Sequence, residues 1–154
     1  MSEICKYIAE VTDEPTNIYY SVENNTIGEA ALQSLNEYGE SNIPGTFMSE
    51  KGKKRRGYNT THKTKLAACA KFKTLLESKK MKIYSRSLIS ELKSFVALGG
   101  SYEAKIGETD DLVMASLLAV RVMQDLSEYH GDLEEYIRDH DEVIMPLPFY
   151  AVLG

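Results

Sequence analysis

The chain has 154 residues, 43% hydrophobic and 27% charged, which suits one domain with a packed core and excludes wholesale disorder. No apolar run reaches the roughly 18 residues that a bilayer crossing needs. Two cysteines, Cys5 and Cys69, are too few for a disulfide framework and have no metal-type spacing. The net charge of −5 conceals a division: residues 51–82 hold twelve Lys and Arg against one acid, Glu77, and the rest of the chain is strongly acidic. Segregation of this kind points to a polyanion-binding segment in an acidic body.

In chain order, Ile4, Ile8 and Val11 predict a short opening helix before Pro15, and the acids within Met1–Glu10 do not suit a signal peptide. The chain therefore reads as soluble and intracellular. Ile18 to Val22 is a β-rich run in which Ile18, Tyr20 and Val22 share a face. Thr26 and Glu29 form a T-x-x-E capping box, with Ile27, Ala30, Ala31, Leu35 and Tyr38 continuing as an amphipathic helix. Residues 39–61 read as one long irregular loop containing the basic cluster, and a loop of that length in a compact domain is usually functional. Leu66, Ala70, Phe72, Leu75 and Leu76 mark a helix from about Lys63 to Ser78, and residues 81–84 are a short strand candidate. Ile89, Leu92, Phe95 and Val96 mark a helix from near Ser87, stopped by Gly99-Gly100; Tyr102 to Lys105 reads as an edge strand or a turn. Thr109 is the expected cap of a buried helix from Leu112 through Met123. An exposed acidic helix over 125–142 and an extended tail over 143–154 close the chain. Strands alternating with helices predict an α/β layered fold over a single domain, 1–154.

Three features could carry chemistry. Glu23 stands at the carboxyl end of a strand just before a helix, where open α/β sheets place their sites; an ordinary turn acid is the plainer reading of Glu23 taken alone. Asp110 and Asp111 are adjacent acids in a first helical turn, which complements the helix dipole. They also precede a buried helix, and close like charges favour a cation between them. Hard cations such as Mg²⁺ and Mn²⁺ take such oxygen ligands. Lys51, Lys53, Lys54, Arg55 and Arg56, flanked by glycines, form a loop suited to a nucleic acid backbone, with Lys63 and Lys65 just beyond it. The lysines at 71, 73, 79, 80 and 82 read as a solvated face. His62 lies beside the basic loop, within reach of a phosphate, and His130 and His140 read as surface residues.

Three segments carry a resemblance. Tyr-Ser-Val-Glu-Asn-Asn-Thr-Ile-Gly-Glu (20–29), Gly-Tyr-Asn-Thr-Thr-His-Lys-Thr-Lys (57–65) and Gly-Glu-Thr-Asp-Asp-Leu-Val-Met-Ala (107–115) occur in the order seen in the large terminase subunit of tailed phages, myoviruses above all. The chain resembles that family over nearly its whole length. The resemblance implies a ribonuclease H-like fold, a mixed sheet flanked by helices, and a two-metal nuclease that cuts concatemeric DNA during packaging. In that family the metals, Mg²⁺ or Mn²⁺, lie between an Asp on the first strand, a Glu after a later strand, and one or two Asp opening a late helix. Glu23 matches the second position, and Asp110 and Asp111 match the last. The first Asp has no match here, since Asp13 lies in a turn before Pro15.

The resemblance therefore leads to the expectation of a nuclease domain incomplete at its N-terminus, inactive alone. It would be completed by a separate chain bearing the ATPase and the first nuclease strands. The implied partners are double-stranded DNA, that missing part, a second copy through an unpaired sheet edge, and the phage portal, with no membrane; the implied location is the host cytoplasm. A DNA-binding or assembly module without catalysis is the rival reading, and a junction resolvase a third.

Overall fold

The computed structural model describes residues 18–129, together with Tyr7 and Glu10. The helix predicted over Ile4–Val11, the acidic stretch beyond Tyr129 with His130 and His140, and the tail at 143–154 lie outside the described residues. Within the span read as one domain, the chain divides into two compact units, Met1–Thr60 and Thr61–Gly154, each with its own apolar core. No helix among the described residues is long and apolar enough to cross a membrane.

The first unit is built on a parallel ladder. Strand β1 (Tyr19–Tyr20) pairs with β2 (Thr46–Phe47) in the register Tyr19↔Thr46 and Tyr20↔Phe47. The amides of Thr46 and Met48 donate to the carbonyls of Ile18 and Tyr20, both at 2.8 Å. The same edge then takes up a later segment. Tyr58 N–H donates to Val22 O at 3.0 Å, and Asn24 N–H donates to Tyr58 O at 2.7 Å, forming a parallel bridge between Glu23 and Tyr58. The partner strand is thus broken after Met48 and resumes at Tyr58, and the basic cluster occupies the excursion between.

That excursion is pinched shut at its neck. Glu50 N–H donates to Gly57 O at 3.1 Å, and Gly57 N–H donates to Ser49 Oγ at 3.1 Å. Gly57 has φ +78°, and a Cβ there would stand 2.4 Å from Val22 O, so only glycine fits this turn. The stretch 39–61 is therefore not one irregular loop: it contains a 3₁₀ turn at Glu40–Asn42, strand β2 and the closed loop. A two-residue strand behind Pro44-Gly45 is too short to show an alternating pattern.

Helix α1 (Thr26–Tyr38) is capped by Asn25, whose Oδ1 accepts from Gly28 N–H at 2.8 Å; the cap lies one residue before the predicted Thr26. Its buried face is Gly28, Leu32 and Leu35, whereas Ile27, placed on the apolar face by pattern, is 82% exposed. The difference comes from Gly28, which an apolar count overlooks. The helix approaches the strand end so closely that a Cβ at Gly28 would fall 1.6 Å from Glu23 O. Leu32, Leu35 and Ile43 pack with Tyr20, Val22 and Phe47, and the Tyr20 and Phe47 rings meet edge to face.

In the second unit, helix α2 (His62–Glu77) starts within a residue of the predicted position, held by a reciprocal cap between Thr61 and Thr64. Residues 81–84 form no strand among the described residues; Met81 instead drops into the core after the helix end. Helix α3 (Arg86–Ser94) ends before Phe95. Phe95 and Val96, read as helical by spacing, belong to β3 (Phe95–Leu98), which pairs antiparallel with β4 (Ser101–Ala104). Gly99-Gly100 is the two-residue hairpin turn, with φ +58° and +86°, and not a helix stop. Helix α4 (Asp111–Tyr129) buries Val113, Ser116, Leu117, Val120, Val122 and Leu126, in keeping with its all-round apolar pattern. Helices α2 and α3 pack on α4 around Phe72, Leu75, Leu88, Val113 and Val120. Among the described residues, four helices with small parallel and antiparallel sheets make the mixed α/β fold that the alternation of elements predicts.

Candidate metal centre and nucleic-acid interface

Glu23 follows β1 at the point where the ladder passes from Met48 to Tyr58, directly before the α1 cap. Asn25 works twice: its Oδ1 caps α1, and its Nδ2 donates to Glu23 Oε2 at 3.1 Å. Asn24 Nδ2 donates to Arg56 O at 2.9 Å and so ties this segment to the last residue of the basic loop. The fold thus sets Glu23 at the root of the loop, two features that the sequence separates by more than twenty residues.

Within the loop, Lys51, Lys53, Lys54 and Arg55 are exposed. Arg56 is different. Its guanidinium donates to Asn36 Oδ1 at 2.6 Å and to Glu40 Oε1 at 2.7 Å, and lies 4.5 Å from the centre of the Phe47 ring. Sequence reasoning groups Arg56 with the DNA-binding residues; two of its N–H donors are engaged inside the first unit, clamping the loop to α1 and the 3₁₀ turn.

Asp110 and Asp111 belong to the second unit, at the head of α4. Asp110 O accepts from Met114 N–H at 2.8 Å, which makes Asp110 the residue at the cap position, one later than the predicted Thr109. The first free amides of the helix are taken by a residue that sequence reasoning missed. Glu91 Oε2 on α3 accepts from Leu112 N–H at 2.8 Å and Val113 N–H at 3.1 Å, and Glu91 Oε1 accepts from Thr109 Oγ1 at 3.1 Å. The available signal was an acid on the apolar face of α3, between Leu88 and Leu92 at helical spacing.

Lys65 on α2 also reaches this corner. Its Nζ is 3.8 Å from Asp110 Oδ2 and 5.4 Å from the centre of the Phe95 ring, with its side chain 17% exposed. Lys65, expected among the DNA-binding residues, therefore faces the Asp110 carboxylate. Lys63 is exposed in the first turn of α2. The His62 ring is hydrogen-bonded through Nε2 to Gly100 O at 3.1 Å, holding the hairpin turn to the start of α2. Cys69, one turn beyond Lys65, is half-buried against the core; burial pushes its thiol above the ordinary range, with the Lys65 charge opposing.

The donors fit a hard divalent cation in kind. Glu23, Asp110 and Asp111 offer carboxylate oxygens, and the buried Asn24 Oδ1 is an oxygen acceptor with no hydrogen-bond partner. Asp110 already has a cation beside it, the Lys65 ammonium. In number they are fewer, since among the described residues no three His, Cys, Asp or Glu side chains cluster closely enough to hold an ion. The structure brings Asp110 together with Lys65, sets the Glu91 carboxylate on the amides that follow, and brings Glu23 together with the basic loop.

A family model described as a terminase RNaseH-like domain matches residues 1–123. The match spans both units and includes Glu23, the basic loop, Glu91, Asp110 and Asp111. The chain belongs to the terminase RNaseH-like domain family.

Proposed function

We propose that this domain is the nuclease portion of a phage DNA-packaging terminase, cutting concatemeric double-stranded DNA with the help of Mg²⁺ or Mn²⁺. A terminase RNaseH-like domain has a nuclease-type role in packaging. The observation that most favours cleavage here is the placing of Glu23 at the root of a closed basic loop. A carboxylate beside a basic loop suits metal-assisted phosphodiester hydrolysis, in which an ion and a phosphate must be held side by side. Glu23, Asp110 and Asp111 would hold the divalent ions, with Asn25 steadying Glu23 and the α4 head fixing Asp110. Bound there, the ions supply charge neutralisation at the phosphodiester and activation of water. Lys51, Lys53, Lys54 and Arg55 would hold the DNA backbone without reading bases.

Glu23, Asp110 and Asp111 would fill two of the three corners of the family's ligand set, so cleavage would need a polypeptide that carries an Asp on a strand to fill the third. The expected outcome is no measurable nicking of plasmid by the chain alone in Mn²⁺, nicking on addition of the partner polypeptide, and loss again with Glu23→Ala. Robust cleavage by the chain alone would overturn the need for a partner. Absence of cleavage after complementation would favour the second reading, a DNA-binding or assembly module. That reading has its own support, because Lys65 neutralises Asp110 and the Glu91 carboxylate is used as a cap.

A further inference from the structure

We propose that Lys65 is a resident counter-cation of Asp110, which divalent metal must displace or share, so that Lys65 weakens metal binding and keeps the carboxylate corner neutralised until metal arrives. The inference rests on the reading of Asp110 as a metal ligand.

The geometry has three parts. The Lys65 ammonium and the Asp110 carboxylate are both largely withdrawn from water, with side chains 17% and 28% exposed. Their separation of 3.8 Å exceeds the 2.7–2.9 Å or so of a locked charge-assisted hydrogen bond. The ammonium therefore supplies charge without fixing the carboxylate. The Phe95 ring centre lies 5.4 Å from the ammonium, so Lys65 retains an attractive contact when it moves off Asp110.

The surroundings explain why a counter-cation is needed. Asp110 caps α4, Asp111 is its first residue, and the Glu91 carboxylate accepts from the next two amides. Glu91 is offset by two amides and a hydroxyl. Asp110 faces Lys65, one turn of α2 away from a half-buried thiol and apolar core. Without that ammonium, the partly buried Asp110 carboxylate would lose the cation beside it, which raises its cost and its appetite for a divalent ion.

The test uses the full chain and Mn²⁺ alone, with free Mn²⁺ read by electron paramagnetic resonance. Lys65→Met keeps a stem on Phe95 and removes the charge; it should bind Mn²⁺ about threefold to fivefold more tightly than the parent, the scale of one partly exposed ion pair. Lys65→Arg, which keeps the charge, should bind as the parent does. In an Asp110→Asn background Lys65→Met should make no difference. Thermal melting adds a second reading: metal-free Lys65→Met should melt lower than the parent and gain more from Mn²⁺. If Lys65→Met binds no more tightly while Asp110→Asn loses binding, Asp110 is a ligand but Lys65 is no competitor. If Asp110→Asn leaves binding unchanged, the assignment of Asp110 fails, and this inference with it. Weaker binding in Lys65→Met would make Lys65 an organiser of the site and overturn the proposal.

Discussion

Cys69 shows how one charge on α2 reaches several groups. Its thiol packs against the second core, and burial raises its pKa while Lys65, one turn earlier, pulls the other way. A thiol raised on folding favours the protonated form, so the stability it contributes is present below the ordinary thiol range and lost as pH rises through the folded value. Less thiolate also means slower alkylation. In a Cys5→Ser background, iodoacetamide at mildly alkaline pH should label Cys69 more slowly in the native chain than in urea. Lys65→Met should slow native labelling further, because the opposing charge is gone. Equal rates in native and unfolded chain would remove the argument from burial.

At the scale of elements, the α4 head depends on Glu91. Free amides at a helix start are normally met by a local Ser, Thr, Asp or Asn side chain. Here two of them are met by a carboxylate from α3, 21 and 22 residues away in the chain. Glu91→Ala should lower stability by about 1–2 kcal/mol, the usual range for removal of a cap. Glu91→Gln, which keeps an oxygen acceptor but loses the charge facing the dipole, should cost less. Urea denaturation gives both numbers, and an Ala variant within a few tenths of a kcal/mol of the parent would mean water replaces the carboxylate without loss.

The same residue explains how much was legible in the sequence. Adjacent Asp110-Asp111 and the strand-end Glu23 stand out because their neighbours in the chain define their setting. Glu91 acts on amides that α3 meets only after the β3–β4 hairpin turns the chain back, so its place on the apolar face of α3 marks it as unusual without showing what it caps. The helix cores at Leu32, Leu35, Phe72 and Leu75 follow from spacing. The closed neck of the basic loop does not, because Ser49, Glu50 and Gly57 are joined by hydrogen bonds and not by any apolar period. Phe95 and Val96 fit helical spacing equally well, and the choice of strand rests on a glycine pair whose turn only the fold reveals.

Across the whole molecule, the charge is divided between a basic segment and an acidic remainder, and this sets how the protein should meet DNA. The overall charge of −5 repels a duplex, so association must run through the local excess at 51–82. Not all of that excess is on offer. Arg56 is engaged with Asn36, Glu40 and Phe47, and Lys65 with Asp110 and Phe95. Lys53, Lys54 and Arg55 are exposed at the tip of a loop whose neck is tied to the Glu23 segment. Replacing these three with Ala should weaken binding equally for unrelated duplexes. It should also reduce the slope of log affinity against log salt by about 0.9 for each phosphate that the variant no longer neutralises. Arg56→Ala should behave otherwise. It should lower stability by roughly 1 kcal/mol, because partly exposed pairs and a cation–ring interaction disappear, and change the salt slope little at temperatures where the chain stays folded. Filter binding over a salt series, run beside a melting curve, separates the two. A slope change for Arg56→Ala as large as that per residue of the triple variant would return Arg56 to the DNA-binding surface. An unchanged slope in the triple variant would leave the loop as a solubilising feature, with DNA binding then sought among the exposed lysines of α2.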